Sequence, residues 1–113
     1  ADSMGVPAFI NARTDVFLKA DQLSAHADLM EEALVRERAY ASAGADGFFV
    51  PGLTNDALIR QVCAVATLPV NIMTTSTREI RKINRSGVAR ISLGPAPYIA
   101  LMSAVEKEAN AVL

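Results

Sequence analysis

Four times along this chain a short apolar run gives way to a stretch whose apolar residues recur every three or four positions, and this alternation constrains the fold more than any other feature. The first run, Val6 to Arg13, is apolar and turns polar at its end, which predicts a strand buried on both faces. Leu23, Ala27, Met30 and Leu34 then mark one side of a helix, with Asp28, Glu31, Glu32, Arg36 and Arg38 on the other. That helix is expected to continue through Ala41 and stop at Gly44, since glycine tolerates the left-handed conformation that closes many helices. Gly47 to Val50 reads as the second strand, ended by Pro51-Gly52, and Thr54 or Asn55 can cap a helix with Leu58, Val62 and Val65 inward. Val70 to Met73 reads as the third strand. Ser76 and Glu79 have the spacing of a capping box for a third helix, which turns Ile80 and Ile83 inward and ends at Gly87. Val88 to Leu93 completes the set of strands. The Gly94-Pro95-Ala96-Pro97 turn then leads into a closing helix with Leu101, Val105, Ala109 and Val112 on its apolar side.

Strand followed by helix, four times over, demands a parallel sheet, because each helix returns the chain to the start of the next strand. The fold class is therefore α/β, either as a small open doubly wound sheet or as half of a (β/α)8 (TIM) barrel. No glycine-rich phosphate turn follows Arg13, and 113 residues is a little under half of the roughly 250 that a whole barrel takes, so the half-barrel is the expected architecture. No linker or low-complexity stretch interrupts residues 1–113, which read as one unit. The 11 basic and 12 acidic residues leave a net charge of -1, and aromatic residues are 5% of the chain, so nucleic-acid binding lacks both its electrostatic footprint and its stacking surface. Runs such as Val6 to Ile10 and Ala66 to Met73 fall well short of the roughly 20 residues of a membrane span, and no basic-then-apolar leader opens the sequence. A single cysteine cannot form an internal disulfide, and a reducing, cytoplasmic setting is expected.

In either parallel architecture ligands gather at the carboxyl ends of the strands. The residues expected there are Asn11, Arg13 and Asp15, then Pro51 and Gly52, then Asn71 and Thr74, then Ser92 and Gly94. Asn11 and Arg13 share a strand face, and an arginine fork suits a carboxylate or phosphonate oxygen pair, although Arg13 could equally serve only to pair with Asp15. Asn71 sits inside an apolar run, where its amide needs partners, and is read as a ligand contact. Asp15 is read as a cap and structural partner, Arg90 as structural, His26 as a solvated helix residue and Cys63 as a small hydrophobe. Met30, Met73 and Met102 are read as core filling. Lys19, Lys82 and Lys107 fall in loops or helices, which disfavours Schiff-base chemistry. Asp15 is the only carboxylate expected near the site, so this segment alone is not expected to hold a metal.

Phe9 to Asp15, Ala43 to Leu53, Pro69 to Met73 and Gly87 to Gly94, taken in order, resemble strands five to eight of the isocitrate lyase and phosphoenolpyruvate mutase superfamily. The Ala12-Arg13-Thr14-Asp15 segment is the most specific part. The resemblance implies the carboxyl-terminal half of a barrel enzyme that uses Mg2+ and acts on small 2-oxo acids, or compounds releasing them, through a pyruvate-like enolate. It implies that Arg13 is the catalytic, substrate-binding arginine, that Asn71 contacts substrate, and that Gly52 lies in the same site. Pro51 stands where lyases of the family carry glutamate. The metal-binding aspartates and the catalytic loop belong to the family's first half and are not in this segment. The activity implied is cleavage of a carbon-carbon bond in a small 2-hydroxy or 2-oxo acid; phosphonopyruvate mutase or hydrolase chemistry is the alternative, and a non-enzymatic half-barrel interaction module a third. The expected partners are a small carboxylate substrate and further copies of the chain, associated through helix exchange as in the family.

Overall fold

The computed structural model describes Ser3 and residues 5–113. Four short parallel strands, β1 (Asn11–Arg13), β2 (Gly47–Phe49), β3 (Val70–Met73) and β4 (Arg90–Ser92), form one sheet in the order of the sequence. The order runs without the reversal that marks a doubly wound sheet. Helices α1 (Met30–Ser42), α2 (Asp56–Val65), α3 (Ile80–Ile83) and α4 (Ala96–Val112) alternate with the strands.

Strand alternation sorts the sheet into two faces. Phe48, Val50, Val70 and Ile72 are buried and join Met30, Ala33, Ile59, Val62 and Ile83 in the core. The other face carries Arg13 and Arg90, both exposed, beside half-buried Phe49 and Ser92. A strand side covered by helices therefore opposes one that this chain leaves largely open.

Local chemistry sets the boundaries of several elements. Asn55 caps α2, its side-chain oxygen accepting from the backbone N–H groups of Ala57 and Leu58 at 3.0 and 3.1 Å. Gly44 and Gly87 close their segments at φ +95° and +89°.

Other expectations need correction. The first strand spans only residues 11–13, and Val6, Phe9 and Ile10 are exposed because β1 is an edge strand paired on one side only. The first helix does not begin at Leu23. Residues Leu23–His26 form a separate 3-10 turn, which breaks the helical phase and leaves Leu23 exposed. On α2, Ile59 is buried and Val65 exposed, so the inward stripe is rotated from Leu58, Val62 and Val65. Ser76 makes no side-chain cap; the Thr74 hydroxyl takes that place, accepting from Ser76 N at 3.1 Å and lying 3.3 Å from Glu79 Oε2.

The closing helix departs furthest. No residue of α4 is buried, and Tyr98, Ile99, Leu101, Met102 and Val105 are all about half exposed or more, so Met102 does not fill the core. The radius of gyration is 17.1 Å, against roughly 13 Å for a compact chain of this length. No helix among the described residues is long and apolar enough to cross a membrane.

Candidate functional site

Parallel register draws one row across all four strands: Arg13 pairs with Phe49, Phe49 with Asn71, and Asn71 with Arg90. Side chains in such a row share a sheet face. This row brings together the two candidates expected to touch a ligand, Arg13 and Asn71, and adds Arg90, which strand position alone did not suggest. Among the described residues Arg90 has no ion-pair partner.

Arg13 is held twice. Its guanidinium carbon lies 5.7 Å from the centre of the Phe49 ring, and its Nε lies 2.6 Å from Asp15 Oδ1. Ring contact and ion pair restrain a long flexible side chain before any ligand arrives. The ion pair with Asp15 is the structural partnership that the sequence allowed. It engages Nε alone; the terminal nitrogens of Arg13 have no hydrogen-bond partner among the described residues.

Asn71 is buried, and its Oδ1 accepts from Ser92 Oγ at 3.1 Å. Because the oxygen is satisfied, the amide nitrogen is the free end, with no partner among the described residues. That nitrogen is not one of the buried atoms left without a partner, so it reaches the open side of the sheet and offers two N–H donors on the row shared with Arg13.

The turns around this face are tight. A Cβ on Gly52, at φ +89°, would lie 2.7 Å from Leu18 N, so glycine there lets the loop after β1 press against the turn after β2. A Cβ on Gly94 would lie 2.9 Å from Met73 Sδ. Asn11 stands over Gly47, where a Cβ would meet its Oδ1 at 2.9 Å. Pro51 is fully buried, and so is Thr14, whose N–H donates to Phe49 O at 3.0 Å and ties the end of β1 to β2.

Behind the end of β1, Asp15, Lys19, Glu32 and Arg36 share a cavity of about 340 Å³. Arg36 Nη2 lies 2.6 Å from Glu32 Oε1, a bond that raises the guanidinium pKa. The cavity holds two cations and two carboxylates, so it favours neither sign.

His26 is not solvated. It is buried with its ring 5.3 Å from that of Phe17, because the 3-10 turn swings it under the loop after β1. Cys63 is half-buried on α2, and burial pushes its thiol pKa up. Glu37 escaped the sequence reading. Its carboxylate is buried and one oxygen accepts from Thr67 N, Thr67 Oγ1 and Leu68 N, each at 2.8 Å. The signal was its place on the stripe of Met30 and Ala33, where a charge demands partners. Among the described residues no group of three or more His, Cys, Asp or Glu side chains is placed to hold a metal ion.

The phosphoenolpyruvate phosphomutase family model matches residues 1–113. An uncharacterized protein of Mycobacterium tuberculosis is 41% identical over 110 residues, covering 92% of this chain and 38% of that protein. An oxaloacetate decarboxylase of Ectopseudomonas mendocina is 34% identical over 84 residues, 70% of this chain and 29% of the relative. A solved structure of a candidate phosphonomutase from Burkholderia cenocepacia superposes with a TM-score of 0.89 at 48% identity, covering 97% of this chain and 46% of that one. The chain thus spans less than half the length of each of these relatives.

Proposed function

This chain belongs to the phosphoenolpyruvate phosphomutase family, and we propose that it carries the arginine side of a lyase-type active site, cleaving a carbon-carbon bond in a small 2-hydroxy or 2-oxo acid through a pyruvate-like enolate. The observation that carries this reading is the restraint on Arg13: Asp15 and Phe49 hold the guanidinium while its terminal nitrogens have no partner among the described residues. A planar fork so placed binds a carboxylate through two parallel hydrogen bonds. In a 2-oxo acid such as oxaloacetate the electron pair of the breaking bond moves onto the 2-oxo fragment as an enolate and carbon dioxide leaves. In a 2-hydroxy acid the hydroxyl gives its proton to a base of the complete enzyme and becomes the carbonyl of the 2-oxo product, while the pair moves onto the departing carboxylate fragment as its enolate. In either case a fixed cation stabilises that charge more than it stabilises the substrate. Asn71 donates its amide N–H to a second substrate oxygen, and Gly52 lets the loop after β1, which carries Asp15, close against the turn after β2.

The sheet is read as strands five to eight of a barrel. Sequential strand order, an open face and a span under half that of the relatives support this. Magnesium enters the proposal through the family alone, since the described residues bring no ligand set together; the steps given to this chain are those of Arg13 and Asn71. A cytoplasmic setting rests on the lone cysteine, and association with further copies through exposed α4 rests on the family resemblance.

The complete enzyme supplied with Mg2+ is expected to release pyruvate or oxalate from one of 2-methylisocitrate, 2,3-dimethylmalate or oxaloacetate. The oxaloacetate decarboxylase among the relatives supports that panel. The phosphonomutase-like neighbour supports a second reading, phosphorus-carbon chemistry. Phosphorus NMR with phosphonopyruvate separates the two, and silence on every substrate sinks both.

A further inference from the structure

Residues 77–86 fold as three short pieces, the 3-10 turn Thr77–Glu79, then α3, then the 3-10 turn Asn84–Ser86. They are two-sided. Ile83 is buried and Ile80 half-buried, whereas Arg78, Arg81, Lys82 and Arg85 are exposed. Those four cations fall at i, i+3, i+4 and i+7, the spacing of a single helical face. Arg60 of α2 stands across from them, and the five side chains line a cavity of about 350 Å³. That volume lies in the range of small-molecule sites.

Five of the eleven Lys and Arg residues of a chain with net charge -1 therefore surround one cavity. Among the described residues Lys82 alone of the five is paired, its Nζ 2.5 Å from Asp56 Oδ2. Among the described residues Arg60, Arg78, Arg81 and Arg85 have neither an ion pair nor a side-chain hydrogen bond. Like charges at helical spacing destabilise the segment that carries them. Packing does not ask for them, because Ile80 and Ile83 meet the core.

We propose that this cavity binds a small anion carrying two or more phosphate groups, with the four unpaired arginines as its ligands. Guanidinium forks match phosphate oxygens bidentately, and several converging on one volume select for multiple charge. Among the described residues no aromatic side chain lines the cavity, so it lacks the stacking surface of a single-strand binder. The site lies on α2 and α3, which follow the two central strands of the sheet, on the helical side rather than the open face of Arg13. Strands added at the β1 or β4 edge would leave it uncovered.

Calorimetric titration of the complete protein, in an Arg13→Gln background that removes the anion grip of the proposed lyase site, with sodium triphosphate, ATP, citrate and an oligonucleotide of about 20 residues, at about 0.15 M salt, tests this. Saturable one-to-one binding of triphosphate is expected, weakened about tenfold or more in an Arg60→Gln/Arg85→Gln double variant and unchanged in Arg38→Gln, which alters an exposed cation elsewhere. Equal binding of ATP and triphosphate identifies the phosphate chain as the ligand; tighter binding of ATP adds a nucleoside. An Arg78→Gln/Arg81→Gln pair replaces the first if circular dichroism shows it unfolded. The proposal is overturned by no saturable binding below about 1 mM, by equal losses in Arg38→Gln, by citrate binding as tightly as triphosphate, or by an oligonucleotide binding more tightly than either. None of these outcomes touches the reading of Arg13.

Discussion

Arg13 Nε lies 2.6 Å from Asp15 Oδ1, so the carboxylate two residues along holds the guanidinium from its side and leaves its terminal nitrogens without a described partner. Arg13→Lys keeps the charge and loses the planar fork, and is expected to lower kcat/KM of the complete enzyme about a hundredfold. Asp15→Asn keeps the fork but weakens its restraint, and should cost about tenfold. Steady-state pyruvate release measures both. An unimpaired Arg13→Lys enzyme would show that Arg13 does not hold the reacting anion.

Asn71 and Ser92 make a second pair, hydroxyl to amide oxygen at 3.1 Å across neighbouring strands. Asn71→Asp replaces two donors with a carboxylate facing an anionic substrate, and KM is expected to rise about thirtyfold or more. Ser92→Ala removes the bond that fixes the amide orientation and should raise KM by about threefold to tenfold. The order of the two effects is the check; a larger loss from Ser92→Ala would mean that Asn71 acts in packing.

Glu37 ties α1 to the entry of β3 through three 2.8 Å bonds to one carboxylate oxygen. Glu37→Ala leaves the Thr67 and Leu68 N–H groups without that acceptor and is expected to cost roughly 3 kcal/mol in urea unfolding. Glu37→Gln retains an oxygen at weaker charge and should cost about 1 kcal/mol. Equal stability of the two variants would show that solvent replaces the carboxylate without loss.

Element order was legible because the strand and helix periods differ and each unit ends in a glycine or proline signal. Arg13 and Asn71 were legible as candidates because polar residues at strand ends stand out from apolar runs. Their shared row was not, since register depends on pairing partners that no local pattern encodes. His26 was misread because the helical phase was carried back through Leu23, where the chain forms a separate turn. The apolar spacing of α4 identified a face that prefers cover but not what covers it. Of the cations in residues 78–85 the sequence singled out only Lys82, as ill placed for Schiff-base chemistry; the cluster exists only once folding brings Arg60 to them.

Two glycines separate backbone strain from contact. Gly44 has φ +95° with nothing within 4 Å of a built Cβ, whereas Gly52 has φ +89° and a Cβ would lie 2.7 Å from Leu18 N. Gly44→Ala is expected to cost about 1 kcal/mol from conformation alone, and Gly52→Ala about 3 kcal/mol or more because a backbone must also move. Equal losses by thermal or urea unfolding would show that the Phe17-Leu18 loop yields freely.

Burial raises the Cys63 thiol above its ordinary value of 9.0. Less thiolate is then present at any given pH than for a free cysteine, because desolvation disfavours the charged form. Alkylation by iodoacetamide in the folded chain should be slow at neutral pH, and its rate should reach half-maximum at a higher pH than in the chain unfolded by urea. The same shift makes the neutral thiol part of the folded state. That contribution is whole below the unfolded pKa and is lost as pH rises through it toward the folded value, so stability should fall on the alkaline side of about pH 9. Cys63→Ser variants, whose hydroxyl does not titrate in this range, should lose the part of that alkaline decline due to the thiol. An alkylation profile that matches free cysteine would place the thiol in water rather than against α2 and its neighbours.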